Sequence, residues 1–359
     1  MINKLEKDQL IGNRYRVVSY LDEGGMQYVY IAHDSILNRQ VALKTPKIRS
    51  AEKRFQRSAI VAAKINHPNI AKTLDYIEEN DIPYLIEELI SGEDLDKCIS
   101  QKVKFLDPAL LSTLFHKITK GLAASHHAGV IHRDLKPTNI MVNGGFQLTE
   151  VKITDFGVAK MAESEINEAV IDDGNTLSAS ATALGAVPYM APEAITQESK
   201  VSLKSDIWSI GAMMYEFLTG EKPFGKGLAA IRNILDCDYK EFPKFTTLNI
   251  QFRHLSQDLI KIIKSCLQLD PCKRPTADEL VIKFSNLCYS TKNRETGVIH
   301  SHRVNTCGFI MPSNNVNKVF FHKDSVYGKL QLPSLGKKVL YAKYDGAGAD
   351  RAHPVLLLN

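Results

Sequence analysis

The stretch from Val130 to Gly157 limits this chain more than any other. HRDLKPTN, His132 to Asn139, is followed after a short gap by DFG, Asp155 to Gly157. As chemistry it supplies an isolated acid at Asp134 and a cation two residues on at Lys136. It adds two oxygen ligands suited to a hard divalent cation, the amide of Asn139 and the carboxylate of Asp155. Such a set is suited to moving a phosphoryl group, a reaction in which positioned charge and a neutralising metal carry most of the catalysis. Either tripeptide alone is a coincidence that many chains contain. Both together, in this order, are not.

The stretch resembles the catalytic loop and metal-binding motif of eukaryotic-type protein kinases. The form D-x-K-P-x-N, with Lys136, is similar to the serine/threonine branch, and the GGM of the first loop to bacterial members. The resemblance implies an α+β, bilobal fold with a small antiparallel-sheet N-lobe and a helical C-lobe. It implies ATP and Mg as cofactors and a protein substrate offering a Ser or Thr hydroxyl. By the same resemblance Asp134 orients or deprotonates that hydroxyl, Lys136 and Lys44 steady phosphates, and Asn139 and Asp155 hold the metal.

With 359 residues, 44% hydrophobic and 24% charged, the chain can bury the cores of two or more domains. Its six cysteines have no metal-type pairing, since Cys266 and Cys272 are too far apart for a knuckle, so they are expected as reduced thiols. The N-terminus lacks the apolar segment of a secretory signal, and no run approaches about 18 apolar residues, so a soluble, cytoplasmic protein with no membrane partner is expected. Charge is uneven. Thr291 to Asn359 carries ten Lys or Arg against four Asp or Glu, so the basic character of a chain with net charge +5 lies in its tail.

Tyr15 to His33 alternates apolar and polar residues around Gly24-Gly25, a hairpin signal that resembles the glycine-rich loop over ATP phosphates. Aligned on Leu21, Gly24, Val29 and Tyr30, the loop has Asp22 and Gln27 where the family has its first and third glycines. Asp22 brings a carboxylate towards a polyanion, which implies weaker nucleotide binding or a displaced loop. Gln40 to Thr45 reads as a strand with Ala42 roofing the adenine and Lys44 on the α and β phosphates. In the following helix, expected from about Glu52 to Ile65, the lysine-pairing glutamate of the family falls on Ser58.

Ile82 to Leu95 resembles the hinge strand, with Glu88 and Leu89 as the hinge. Glu87 then stands at the back of the nucleotide pocket, where a carboxylate needs a partner. Two readings stay open: Glu87 replaces the missing glutamate and pairs with Lys44, or the alignment slips and Glu87 lies on the surface. Helical spacing over Ala109 to Ala128 predicts a long helix before the catalytic loop, and Met141 is placed under the adenine. The segment from Asp155 to Glu193 resembles an activation segment, with Thr176, Ser178, Ser180 and Thr182 as phosphosite candidates facing Arg133. Ala186 replaces the threonine that usually bonds the catalytic loop. Asp206 looks like the brace of that loop, and Glu193 with Arg274 like a buried ion pair.

The tail is read as a second module. Short strands, GVIHS, CGFIM, KVFFH, KKVLYAKY and HPVLL, predict a small five-stranded barrel that resembles a cold-shock, OB-type domain. Alternation places Phe309, Phe320 and His322 on one exposed face and turns Phe321 inward, a stacking platform for single-stranded RNA or DNA. Ser301 and Asn305 to Cys307 depart from that family's aromatic strands, so a protein-interaction or dimerisation barrel stays open. The expected domains are an extension over 1–12, a kinase domain over 13–288, a linker over 289–295 and the barrel over 296–359. The rival to catalysis is a pseudokinase scaffold whose output is binding by the barrel.

Overall fold

The computed structural model describes residues 4–23, 27–47, 52–156, 185–196, 200–314, 317–328 and 332–359. Among them the chain opens with an antiparallel sheet in the order β1-β2-β3-β4-β6-β5: Leu10–Ile11, Tyr15–Glu23, Gln27–Asp34, Arg39–Pro46, Ile82–Glu88 and Thr73–Glu79. Period-two alternation buries Tyr15, Val17, Tyr30, Val41, Leu43 and Ile86 on one face. Helix α1, Glu52–Ala62, lies on the other face, with Phe55 and Ala59 packed on Leu85.

The second lobe is helical. Helix α2, Pro108–His127, starts where Asp107 accepts the amides of Ala109 and Leu110 and Pro108 fixes the first turn. Helix α3 is the short Pro192–Thr196, and α4, Leu203–Thr219, begins in a Ser202/Ser205 capping box and ends at left-handed Gly220. Helices α5, Ile250–Cys266, and α6, Ala277–Ser285, close the lobe around Trp208, Met213 and Leu259. Between the lobes, β7 (Glu93–Asp94), β8 (Ile140–Asn143) and β9 (Glu150–Ile153) form a small sheet. Its hairpin fixes the catalytic loop at one end and Asp155 at the other.

The tail is a closed barrel in the order β10-β11-β12-β14-β13: Arg294–Val304, Cys307–Pro312, Val319–His322, Arg351–Leu357 and Lys338–Tyr344. Ile299, Ile310, Phe321, Val339 and Val355 fill it. It is seated on the helical lobe. Tyr327 enters a socket of Phe105, Phe245 and Phe252, with ring centroids 5.1 to 5.6 Å from its own. Arg294 Nη2 lies 2.9 Å from both carboxylate oxygens of Asp107, in a buried pair. Asn249 donates to the Asp324 carbonyl at 2.8 Å, and the Asn359 amide to the Lys102 carbonyl at 2.9 Å. Gly328 has φ +86°, and a Cβ there would lie 1.8 Å from Phe105.

Two expected boundaries shift. The barrel's first strand begins at Arg294, inside the stretch read as linker, because that residue is pinned to Asp107 and its backbone to the Gln147 side chain. Part of the stretch read as an extension belongs to the sheet, since Leu10–Ile11 pairs with β2. A run of polar residues hid the first and a two-residue strand the second.

Candidate active site

Lys44 stands on β4 one residue beyond Leu43, so when Leu43 enters the sheet core Lys44 faces the cleft. Its Nζ lies 2.6 Å from Glu87 Oε2 and 2.8 Å from Asp155 Oδ1. The ladder register explains the first contact. Ala42 faces Glu87 and Lys44 faces Leu85, so Glu87 is the diagonal neighbour of Lys44, within reach of two long side chains. Lys44 and Glu87 are both buried, at 6% and 4% exposure, so Glu87 does not lie on the surface.

One buried ammonium is thus shared by two carboxylates. Burial would raise the Asp155 carboxyl, but the Lys44 ammonium outweighs it and holds it at about 2. Burial opposes the charged form of Lys44, yet Asp155 and then Glu87 push its pKa up. Burial, with Asp155 nearby, pushes the Glu87 carboxyl upward against the pull of Lys44. Asp155 is therefore the fully ionised member and Glu87 the more easily protonated one. Asp155 also accepts from Gln27 Nε2 at 2.7 Å and from Thr154 Oγ1 at 3.2 Å.

The catalytic loop is held from below. Asp206 accepts the amides of His132 and Arg133, each at 2.9 Å, and fixes Arg133 at φ +71°, a conformation that is costly outside glycine. His126 Nε2 lies 2.9 Å from the same carboxylate. His132 Nε2 meets the Thr154 carbonyl at 2.8 Å, and the ring packs 4.7 Å from Phe156, tying the loop to the Asp155 segment. Asp134 pairs with Lys136 Nζ at 2.7 Å. Asn139 Nδ2 donates to the Asp134 carbonyl and carboxylate at 2.8 and 3.0 Å, so its oxygen is the amide atom a cation could take. Glu193 and Arg274 form a two-point buried pair at 2.6 and 2.8 Å.

The donors fit a hard divalent cation such as Mg. They are all oxygen, Asp155 is ionised, and the Gln27 amide oxygen is buried beside it with no partner among the described residues. Of the residues read as touching the nucleotide, Ala42 is buried and Val29, Glu88, Leu89 and Met141 are half-buried. Leu21 is 48% exposed and Asp22 turns to Lys97 at 3.3 Å. The Glu88 side chain is bonded by Lys152 and by the Lys72 amide. Gly24, Gly25, Thr176, Ser178, Ser180 and Thr182 lie outside the described residues.

Gln27 is the site residue that motif matching treats only as a lost glycine. Alternation along β3 puts it on the same face as Val29, two residues on, and that signal was available.

On the barrel, Phe309 and Phe320 meet edge-on at 5.8 Å, and the Arg303 guanidinium lies 5.6 Å from the Phe309 ring. The cross-strand ladder continues from Phe320 to Arg351 and on to Tyr344, whose ring has Lys292 at 5.6 Å. His322 is engaged in its own turn, accepting the Asp324 amide and facing that carboxylate at 3.2 Å. Among the described residues no helix is long and apolar enough to cross a membrane.

Comparison with known proteins agrees with this geometry. A protein named a probable serine/threonine-protein kinase from Streptomyces coelicolor is 37% identical over 61% of this chain and 32% of its own length. Serine/threonine-protein kinase PrkC of Bacillus subtilis is 32% identical over 75% of this chain and 40% of its own. Serine/threonine-protein kinase pkn3 of Myxococcus xanthus is 31% identical over 76% and 50%. The chain therefore matches half or less of the length of each of these relatives. The crystal structure of Rad53 1-466 in complex with AMP-PNP superposes with a TM-score of 0.58 at 25% identity, covering 75% of this chain and 64% of that one. Residues 15–283 match the protein kinase domain, and the chain belongs to that family.

Proposed function

We propose that this chain transfers the γ-phosphoryl group of ATP to serine or threonine hydroxyls of proteins. The observation that carries the reading is the convergence of Lys44 and Asp155, 2.8 Å apart, above a loop that holds Asp134, Lys136 and Asn139 in one hydrogen-bonded cluster. Lys44 anchors the α and β phosphates. Lys136 stabilises charge growing on the transferred group, and the carboxylate of Asp134 orients the substrate hydroxyl and takes its proton. Mg, held through Asn139 and Asp155, neutralises the phosphate oxygens when bound. The kinase names of the bacterial relatives and the AMP-PNP held by Rad53 in the matched crystal structure support the same reading. We place the activity in the cytoplasm.

Incubation with labelled ATP, Mg and a Ser/Thr-containing protein tests it. Label should appear on Ser or Thr with the unsubstituted chain and vanish with Asp155→Ala and Asp134→Asn. Equal label in all three, or none in any, would sink the reading.

The barrel supports a second function. Its row of Phe309, Phe320 and Tyr344 interleaved with Arg303, Arg351 and Lys292 suits single-stranded nucleic acid, in which bases stack and phosphates pair. Anisotropy of a labelled RNA oligonucleotide should show salt-sensitive binding that Phe320→Ala weakens. No binding at low salt would leave the barrel as a protein-contact module.

A further inference from the structure

We propose that Glu87 and Gln27 are positioning residues that hold Lys44 and Asp155 from the sheet, so that the nucleotide-binding arrangement forms without a carboxylate from α1. The inference rests on the phosphotransfer reading above. In the kinase template the strand lysine is fixed by a glutamate on the helix, and moving that helix turns the site on or off. Here the corresponding helix position is Ser58, which carries no charge.

Among the described residues, the anionic partners of Lys44 are Glu87 at 2.6 Å and Asp155 at 2.8 Å. The Glu87 contact follows from pairing of two adjacent strands, Ala42 opposite Glu87. A neighbour in a hydrogen-bonded sheet cannot swing away as a helix can. Gln27 does the same for Asp155: its amide nitrogen, 2.7 Å from Oδ1, spans a sequence separation of 128 residues and ties β3 to the segment below the cleft. Its amide oxygen is buried without a partner among the described residues, at the end of the side chain whose nitrogen meets Asp155. A glycine at this position could not make the contact to Asp155. The chain Glu87–Lys44–Asp155–Gln27 therefore links the lobes through β6, β4 and β3 and bypasses α1.

The experiment compares Glu87→Gln, Gln27→Ala, the double Glu87→Gln/Ser58→Glu and Phe55→Ala. It reads kcat and KM for ATP, binding of a fluorescent ATP analogue with and without Mg, and thermal midpoints. Glu87→Gln should lower kcat at least tenfold, and Ser58→Glu in that background should restore threefold or more, which a merely structural role for Glu87 would not produce. Gln27→Ala should weaken Mg-dependent nucleotide binding about tenfold more than Mg-free binding. Phe55→Ala loosens α1 from Leu85 and should leave kcat within threefold, because the anionic partners of Lys44 among the described residues, Glu87 and Asp155, lie outside α1.

Glu87→Gln and Gln27→Ala that both stay within twofold in every readout would overturn the proposal, as would a tenfold loss with Phe55→Ala. If Glu87→Gln does not fold, Glu87→Met and the Phe55→Ala arm decide by the same thresholds. If the unsubstituted chain binds nucleotide without turnover, the phosphotransfer reading fails, and the two binding arms still judge the positioning role.

Discussion

The pair that seats the barrel should respond asymmetrically to loss of its two members. Asp107 and Arg294 are both buried, and Arg294 Nη2 is 2.9 Å from each carboxylate oxygen. Asp107 has other partners, the amides of Ala109 and Leu110 at 3.1 Å, and it sits at the positive end of α2. Arg294 has no such reserve, because its Nε and Nη1 are buried without a partner among the described residues. Asp107→Asn keeps the helix cap but strands a buried guanidinium, a loss of about 3 to 5 kcal/mol. Arg294→Met leaves Asp107 capping α2 and fills the space with apolar atoms, so about 1 to 2 kcal/mol is expected. The double substitution should be more stable than Asp107→Asn alone, since it removes the orphaned charge.

Urea unfolding reports this through the single tryptophan, Trp208, which is fully buried in α4. Cleavage in the stretch before Arg294 by a dilute protease reports barrel release separately. Equal costs for the two single variants, or both below about 0.5 kcal/mol, would show that the pair does not seat the barrel and that the apolar socket alone does.

Three further outcomes follow from other parts of the molecule. Arg14 holds the buried Asp34 carboxyl at about 2, below its ordinary 3.8. A depressed carboxylate stabilises the fold above its unfolded pKa, so that contribution should be complete above pH 3.8 and fade as pH falls through about 2. Asp34→Asn should flatten this part of the acid-unfolding curve. Native alkylation followed by mass spectrometry should label Cys272 and Cys288 first, because both are exposed, and spare Cys266, whose thiol burial pushes up to about 12. Arg274→Ala should cost about 3 to 5 kcal/mol in urea unfolding, since it leaves Glu193 buried with Ser205 as its remaining side-chain partner among the described residues.

What could be read from the chain beforehand depended on how local the information was. The catalytic loop and the Asp155 segment are contiguous motifs, so their residues could be named before their geometry was known. The barrel strands were visible through alternation, which buries Phe321 and leaves Phe320 half-exposed. The Lys44 to Glu87 contact could be framed as one of two alternatives, because a missing charge at Ser58 and an extra one at Glu87 pose a single question. Only the ladder register answers it. Gln27 with Asp155, and Arg294 with Asp107, join residues far apart in sequence through side chains whose types carry no pairing signal. The face that carries Gln27 could be read from alternation along β3, but its partner, and that of Arg294, could not. The seat of the barrel was hidden likewise, since Tyr327 resembles any other strand-end aromatic until Phe105, Phe245 and Phe252 surround it.

That socket has a practical consequence. Tyr327, Leu340 and Leu356 belong to the same apolar cluster as Trp208 and the helices of the catalytic lobe. A fragment cut after Cys288 would present a bare dish of phenylalanine rings to water, a surface prone to self-association. Dissecting this chain by scissors would confuse lost regulation with lost solubility. Single-atom edits at the rim keep the dish filled and let each half be questioned in the presence of the other.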